Sequence, residues 1–274
     1  MFLFNDHEVK VDRFPDGTQR INLPFITQSS ESQKIVWRYE NETEYMTLWF
    51  LTNHIRSILP KTKLHLHLPY IPNARFDRTY HSTEVFTLKW FAKFINSLNF
   101  DSVVVLDPHS NVSTALIDRV QVYYPVKQIK TVLDSIENAN YQPILYFPDE
   151  GAMKRYKNLF EGYHVIYGEK KRDWETGEIT GLNLRGNVEA LDGLEKPVFL
   201  MIDDICSYGG TFYHSAKMLK EAFPNCYVNS WATHTENEFP TLQKAFDEKL
   251  ILNHFTTNSI YCHTHDNIKT FFVC

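Results

Sequence analysis

At 274 residues the chain exceeds one average domain, and 43% hydrophobic with 22% charged residues is the composition of a folded globular protein rather than a disordered one. A net charge of −5 argues against a long nucleic-acid partner, which needs a basic face to displace counterions, yet leaves small anionic ligands open because a single loop can hold them. The cysteines Cys206, Cys226, Cys262 and Cys274 stand at irregular spacings, which fits free thiols in a reducing compartment.

The opening stretch, "MFLFNDHEVKVDRF", has neither a basic n-region nor a long apolar h-region, and no later stretch is a membrane-length apolar run. A cytoplasmic protein with no membrane partner is expected. Apolar, β-branched runs then alternate with helical periodicity: "KLHLHLPY" before "STEVFTLKWFAKFINSL", "DSVVVLDP" before "NVSTALIDRV", "QPILYFPD" before "EGAMKRYKNLF", and "PVFLMIDD" before "TFYHSAKMLKEAF". This alternation predicts an α/β protein built from βαβ units with mostly parallel sheets. Polar residues and turn formers cluster in "DSIENANYQP", so two domains are expected, 1–135 and 136–274. The charged, glycine-punctuated stretch 169–187 reads as an exposed hairpin or loop with "ETGE" at its tip.

Chemistry concentrates in "FLMIDDICSYGGTF", residues 199–212. In open α/β sheets ligands bind where strands end, and this strand delivers Asp203 and Asp204 there. Gly209 and Gly210 permit a tight turn and close approach, and Thr211 opens a helix whose unpaired N–H groups attract a phosphate. The pattern therefore predicts a ribose-phosphate site, with carboxylates accepting from sugar hydroxyls and the turn holding the phosphate. An acidic strand end followed by an ordinary glycine turn would explain "DD" or "GGT" alone, but is less apt for the complete pattern.

Residues 203–211 resemble the phosphoribosyl pyrophosphate binding loop shared by type I phosphoribosyltransferases and phosphoribosyl pyrophosphate synthetases. Six further stretches match the synthetases in order. "RFPDG" (13–17) resembles "RFSDGE", "LPYIPNARFDR" (68–78) resembles "IPYFGYARQDR", "LDPHS" (106–110) resembles "VDLHA", and "FPDEGA" (147–152) resembles "SPDxGG". "EKKRD" resembles the catalytic "K-x-R" loop, and "WATHTENEF" (231–239) resembles "ATHPIFS". The resemblance implies two tandem type I phosphoribosyltransferase-like domains, the first on the ATP side and the second on the ribose-phosphate side. It also implies an enzyme of the ribose-phosphate diphosphokinase type. Such an enzyme transfers the diphosphate of MgATP to the anomeric hydroxyl of a ribose 5-phosphate unit, giving AMP and phosphoribosyl pyrophosphate.

Carried onto this chain, the resemblance makes Lys170 and Arg172 the catalytic cations, on a mobile loop able to close over the phosphates. Phe14 and Asp16 hold adenine, Arg75 binds ATP phosphates with Asp77 in support, and His109 and Asp149 touch Mg²⁺ or MgATP. Magnesium prefers oxygen, which favours Asp149 as the direct ligand over His109. Asp203, Asp204, Ser207, Tyr208, Gly209, Gly210 and Thr211 hold the ribose phosphate. Because the family completes its adenine pocket across a subunit interface, a homo-oligomer is implied. "YCHTH" (261–265) lacks a second ligand pair at zinc-finger spacing and reads as a satisfied strand-end cluster.

Several positions depart from the family. Its phosphate loop reads "DDxxDTGGT", and here Ser207 and Tyr208 replace the Asp and Thr before the glycines. The same transfer onto ADP-ribose, a step in nucleotide salvage leading to NAD, is therefore the alternative, because an adenosine can stack on a ring such as Tyr208. Thr18 replaces the adenine-site Glu, Phe76 replaces a Gln, and the sequence stops at "IKTFFVC" where the family carries a further helix, which argues against hexamer assembly and allosteric control by phosphate or ADP. A phosphoribosyltransferase would not need the ATP-side motifs, and a non-catalytic homologue would not need Lys170, Arg172, Asp149, Asp203 and Asp204.

Overall fold

A computed structural model describes residues 1–23, 26, 31–172, 179–191 and 193–273, with the backbone alone for 170–172 and 179–182. The chain divides into two compact units, each with its own sheet. Among the described residues no helix is long and apolar enough to cross a membrane.

The first unit comprises Met1–Tyr124, with Val273 from the far end of the chain. Its six strands run in the order β2 (His7–Glu8), β1 (Phe2–Phe4), β5 (Ser32–Trp37), β6 (Lys63–Leu68), β7 (Ser102–Leu106), β8 (Val120–Tyr123). The run from β5 to β8 is parallel, while β1 is antiparallel to both neighbours. Parallel neighbours require crossovers, and α1 (Glu44–Ile58), α2 (Thr87–Ser97) and α3 (Asn111–Leu116) provide them. The "KLHLHL" alternation places Leu64, Leu66 and Leu68 in a core with Trp37, Leu48 and Phe91. A separate hairpin, β3 (Lys10–Arg13) and β4 (Gln19–Asn22), carries "FPDGT" in its turn.

The second unit, Pro125–Phe272, is a seven-stranded sheet in the order β11 (Ile179–Gly186), β10 (His164–Arg172), β9 (Pro143–Phe147), β12 (Val198–Cys206), β13 (Tyr227–Thr235), β14 (His254–Thr257), β15 (Ile268–Phe271). All pairs are parallel except β10 with β11. Both faces of its centre are covered, which is why β9 and the first part of β12 read as unbroken apolar runs. Phe199 and Met201 of β12 pack with Phe212, Leu219 and Leu242 from α6 (Gly210–Ala222) and α7 (Pro240–Asp247). Leu200 and Ile202 pack on the other face with residues of α4 (Val126–Asn138) and α5 (Glu150–Tyr156).

Three outcomes differ from the sequence reading. The unit boundary falls at Tyr124/Pro125, ahead of α4, not at 135/136 inside it, because Ile129, Val132 and Leu133 pack with β9 and β12. The helix expected over "NVSTALIDRV" stops at Leu116, and residues 120–123 form the edge strand β8, whose exposed residues conceal the strand period. The backbone of Lys170 and Arg172 belongs to β10, paired with β11, and not to a loop. The stretch 169–187 is a hairpin, as expected, with its "ETGE" tip outside the described residues.

Candidate functional site

The two adjacent acids of β12 are not equivalent. Successive side chains of a strand point to opposite faces. Asp203 continues the Phe199–Met201 face toward α6, and Asp204 continues the Leu200–Ile202 face toward α5. Asp204 is buried, and its Oδ1 lies 2.7 Å from Nη1 of Arg155 on α5. Asp203 is half-buried, and its Oδ1 accepts from the Asp204 backbone N–H at 2.9 Å. Burial first, then the charges of Asp204 and Asp149, push the Asp203 carboxyl well above the ordinary carboxylate range. The sequence reading gave both acids to the sugar; here Asp204 is turned to Arg155, and Asp203 is the acid on the α6 face.

Beyond β12, Ser207–Gly209 form a turn held from behind by α7. The Tyr208 carbonyl accepts from Thr241 N–H at 2.9 Å and Leu242 N–H at 3.0 Å. Gly209 has φ +91°, and a Cβ there would come within 2.5 Å of the Leu242 backbone nitrogen. Only glycine satisfies both conditions. Gly209, not Thr211, is the N-cap of α6, and the helix opens at Gly210, where a Cβ would meet nothing within 4 Å. The first N–H groups of such a helix lack intrahelical acceptors and point out of its end. Ser207 Oγ donates to Glu236 Oε2 at 2.5 Å, and the Tyr208 side chain is 60% exposed.

Asp149 caps α5, its Oδ1 accepting from Ala152 N–H at 3.0 Å. It stands two residues beyond the end of β9, the parallel neighbour of β12, and its charge reaches both Asp203 and Tyr146, whose hydroxyl lies 3.1 Å from Ser215 Oγ. A carboxyl raised in this way by neighbouring acids is relieved by a cation, so this corner suits Mg²⁺. Among the described residues, no group of three or more His, Cys, Asp or Glu side chains is arranged to hold a metal ion. Magnesium fits that sparse donor set because it keeps waters and substrate oxygens as most of its ligands. The side chains of Lys170 and Arg172 lie outside the described residues.

In the first unit, the loops after β6 and β7 bring Asp77 and His109 together. Asp77 Oδ1 accepts from Arg78 Nε at 2.8 Å, and Arg78, Ser110 and the charge of His109 hold its carboxyl below the usual range against the opposing effect of burial. Arg75 is exposed on the same loop. Phe14, 53% exposed, and Asp16 stand in the β3–β4 turn, where Asp16 Oδ1 accepts from the Thr18 hydroxyl at 2.7 Å and the Thr18 N–H at 2.9 Å. These bonds hold the Asp16 carboxyl below its ordinary range.

Sequence reasoning missed Arg155 and the α7 clamp, which act from other elements and carry no local pattern, and it marked the stretch "WATHTENEF" without giving Glu236 a role. In "YCHTH", Cys262 Sγ contacts Asn237 Oδ1 at 3.4 Å, and His265 stacks on Phe246 while bonding Gln243. Cys206 and Cys226 are buried free thiols, the latter pushed up to about 11 by burial.

No protein-family model matches the chain. A ribose-phosphate pyrophosphokinase of Sulfolobus acidocaldarius is 26% identical over 261 residues, covering 92% of this chain and 85% of that protein. Another, from Saccharolobus solfataricus, is 28% identical over 222 residues, 77% of this chain and 71% of its own length. A third, from Pyrococcus furiosus, is 26% identical over 261 residues, 91% and 86% of the two chains. Among solved structures, phosphoribosylpyrophosphate synthetase from Mycobacterium smegmatis superposes with a TM-score of 0.77 over 97% of this chain and 86% of that one; at 17% identity the likeness is one of fold.

Proposed function

We propose that the chain, which is similar over most of its length to ribose-phosphate pyrophosphokinases, is a diphosphotransferase moving the diphosphate of ATP onto the anomeric 1-hydroxyl of a ribose 5-phosphate unit. The 1-oxygen attacks the β-phosphorus, the bond from that phosphorus to the α-phosphate oxygen breaks, AMP leaves, and the hydroxyl proton passes to solvent or a nearby base. The single observation that carries the reading is Asp203 standing beside a glycine turn that is locked on α7 and opens α6.

In this reading Asp203 accepts from the ribose hydroxyls, and Asp204 acts through Arg155 as a positioning residue that fixes the strand end. Gly209, Gly210 and Thr211 present backbone N–H groups to the acceptor's phosphate, with Ser207 and Tyr208 on its border. Phe14 and Asp16 hold adenine, and Arg75, supported by Asp77, takes ATP phosphates. Lys170 and Arg172 stabilise the charge that builds on the phosphates in transit. Mg²⁺, when bound, would neutralise phosphate oxygens, and Asp149 is the residue of the second unit suited to hold it; in the first unit His109 is assigned to ATP phosphates or their metal.

A second reading keeps the chemistry and changes the acceptor to ADP-ribose. Two observations favour it: Ser207 is engaged by Glu236, and the Tyr208 ring is exposed where an adenosine can stack. The deciding experiment offers MgATP with ribose 5-phosphate or with ADP-ribose and follows AMP. AMP with one acceptor alone names the substrate. No AMP with either, while both bind, would sink the catalytic reading.

A further inference from the structure

The connection between β13 and α7 holds successive residues of the phosphate loop. Glu236 donates its backbone N–H to the Cys206 carbonyl at 2.8 Å and accepts from Ser207 Oγ at 2.5 Å, and Thr241 and Leu242 donate to the Tyr208 carbonyl. The loop therefore stands where residues 236–242 put it. Those residues are braced in turn by the stretch after β14 that contains "YCHTH". Asn237 Oδ1 accepts from the Cys262 N–H at 3.1 Å, and Asn237 Nδ2 donates to the Ile260 carbonyl at 3.3 Å. The Phe239 ring, at the N-cap of α7, lies 6.1 Å from the Tyr261 ring and 5.9 Å, edge to face, from that of His265. One turn into α7, Gln243 bonds His265 at 2.8 Å.

Asn237 is exposed, where water could serve its amide equally well, yet both the donor and the acceptor of that amide are directed at one neighbouring loop. Such bonds add little to overall stability, but they order the connection before a ligand arrives, and a loop ordered in advance costs the ligand less on binding. We propose that Asn237 is a positioning residue for the acceptor's phosphate, and that residues 260–265 set the affinity of the phosphate loop by bracing the connection that holds it. The inference rests on the reading of this loop as the acceptor's phosphate site.

Asn237→Ala removes both bonds at an exposed position, where substitution spares the core. Tyr261→Leu removes the ring that meets Phe239, and Tyr261→Phe keeps it. Binding of ribose 5-phosphate, of ADP-ribose and of ATP to the whole protein is measured by calorimetry, with AMP release from MgATP alongside. Asn237→Ala and Tyr261→Leu should weaken whichever acceptor binds by about three- to tenfold and move ATP by less than about twofold, while Tyr261→Phe should match wild type. Coupling is reciprocal, so a bound acceptor steadies the brace in return. Iodoacetamide alkylation of the exposed Cys262 thiol, followed on its own peptide by mass spectrometry, should slow by about threefold or more at saturating acceptor, and Asn237→Ala should abolish that protection. Unchanged acceptor affinity in Asn237→Ala, equal losses for acceptor and ATP, protection of Cys262 that persists in Asn237→Ala, or binding of neither acceptor would each overturn the proposal. The expected split without AMP release would remove the catalytic reading and leave this one standing. AMP release with an unmoved acceptor affinity would do the reverse.

Discussion

Arg155 Nη1 lies 2.7 Å from Asp204 Oδ1, so the second of two consecutive acids is committed to an ion pair with α5 while the first faces α6. Both partners are shielded, the Asp204 side chain being 4% and the Arg155 side chain 19% exposed. Removing one partner strands a buried charge, which costs about 3–5 kcal/mol. Arg155→Ala should therefore lower unfolding stability in urea by that amount. Asp204→Asn strands the Arg155 guanidinium instead, and because Arg155 is the more exposed partner it should cost less. A change below about 0.5 kcal/mol for Arg155→Ala would mean the pair contributes nothing.

This pair also marks how far sequence reasoning reached. The strand, the paired acids, the glycine turn and the following helix are contiguous, so their chemistry is legible in "FLMIDDICSYGGTF". What α5 and α7 bring to that segment comes from residues far along the chain. Arg155 lies in an ordinary amphipathic helix, Glu236 follows a strand that is apolar and polar by turns, and the α7 clamp uses backbone groups that any residue could supply. Edge strands were harder than central ones for a physical reason. Strand β9 is buried along its whole length and shows it as "PILYF", whereas β8, exposed at the sheet edge, keeps no such signature.

His254 and Asp203 tilt stability with pH in opposite directions. His254, bonded to Ser230 and Thr235, is driven down to about 3 from 6.5 by burial. The unfolded chain takes up a proton there first, so its contribution is present above pH 6.5 and is lost as pH falls toward 3. Asp203 is raised above 3.8, so the native state holds its proton longer than the unfolded chain. Its contribution is full below 3.8 and is lost as pH rises through the raised value. Asp203→Asn should thus be more stable than wild type at neutral pH, inactive, and steeper in its loss of stability on acidification. Urea unfolding from about pH 5 to 8 checks the two stability outcomes and AMP release from MgATP checks the activity, and a variant less stable than wild type at pH 7 contradicts the assignment.

Neighbouring glycines should respond differently to the same substitution. At Gly209 an added methyl meets the backbone of Leu242 in a left-handed conformation, so Gly209→Ala should cost at least about 2 kcal/mol. At Gly210 the methyl enters open space within the first turn of α6, and Gly210→Ala should stay within about 0.5 kcal/mol of wild type. Thermal unfolding of the two variants separates a turn built around Gly209 from one that merely contains glycine.

Lys170 is assigned to charge that exists only during transfer. Lys170→Ala should then lower kcat by about a hundredfold or more with ATP affinity changed little, which is how loss of a transition-state interaction reads out. Steady-state rates at varied ATP, with ATP binding measured separately, test it; equal losses in rate and affinity would reassign Lys170 to substrate binding.

Tyr208 offers the sharpest separation of the two acceptors. Its carbonyl is fixed on the α7 N-terminus by Thr241 and Leu242, so the backbone position does not depend on the side chain, and the ring is 60% exposed. Stacking of a base on an aromatic ring contributes about 1–3 kcal/mol. If the acceptor is ADP-ribose, Tyr208→Ala should weaken its binding by about 5- to 100-fold, and Tyr208→Trp should restore it. Ribose 5-phosphate has no base to stack, so its binding should change by less than about twofold in both variants. Calorimetry with the two ligands distinguishes the cases: a loss confined to ADP-ribose assigns the ring to the adenosine, whereas equal losses would mean that the substitution disturbs the loop itself.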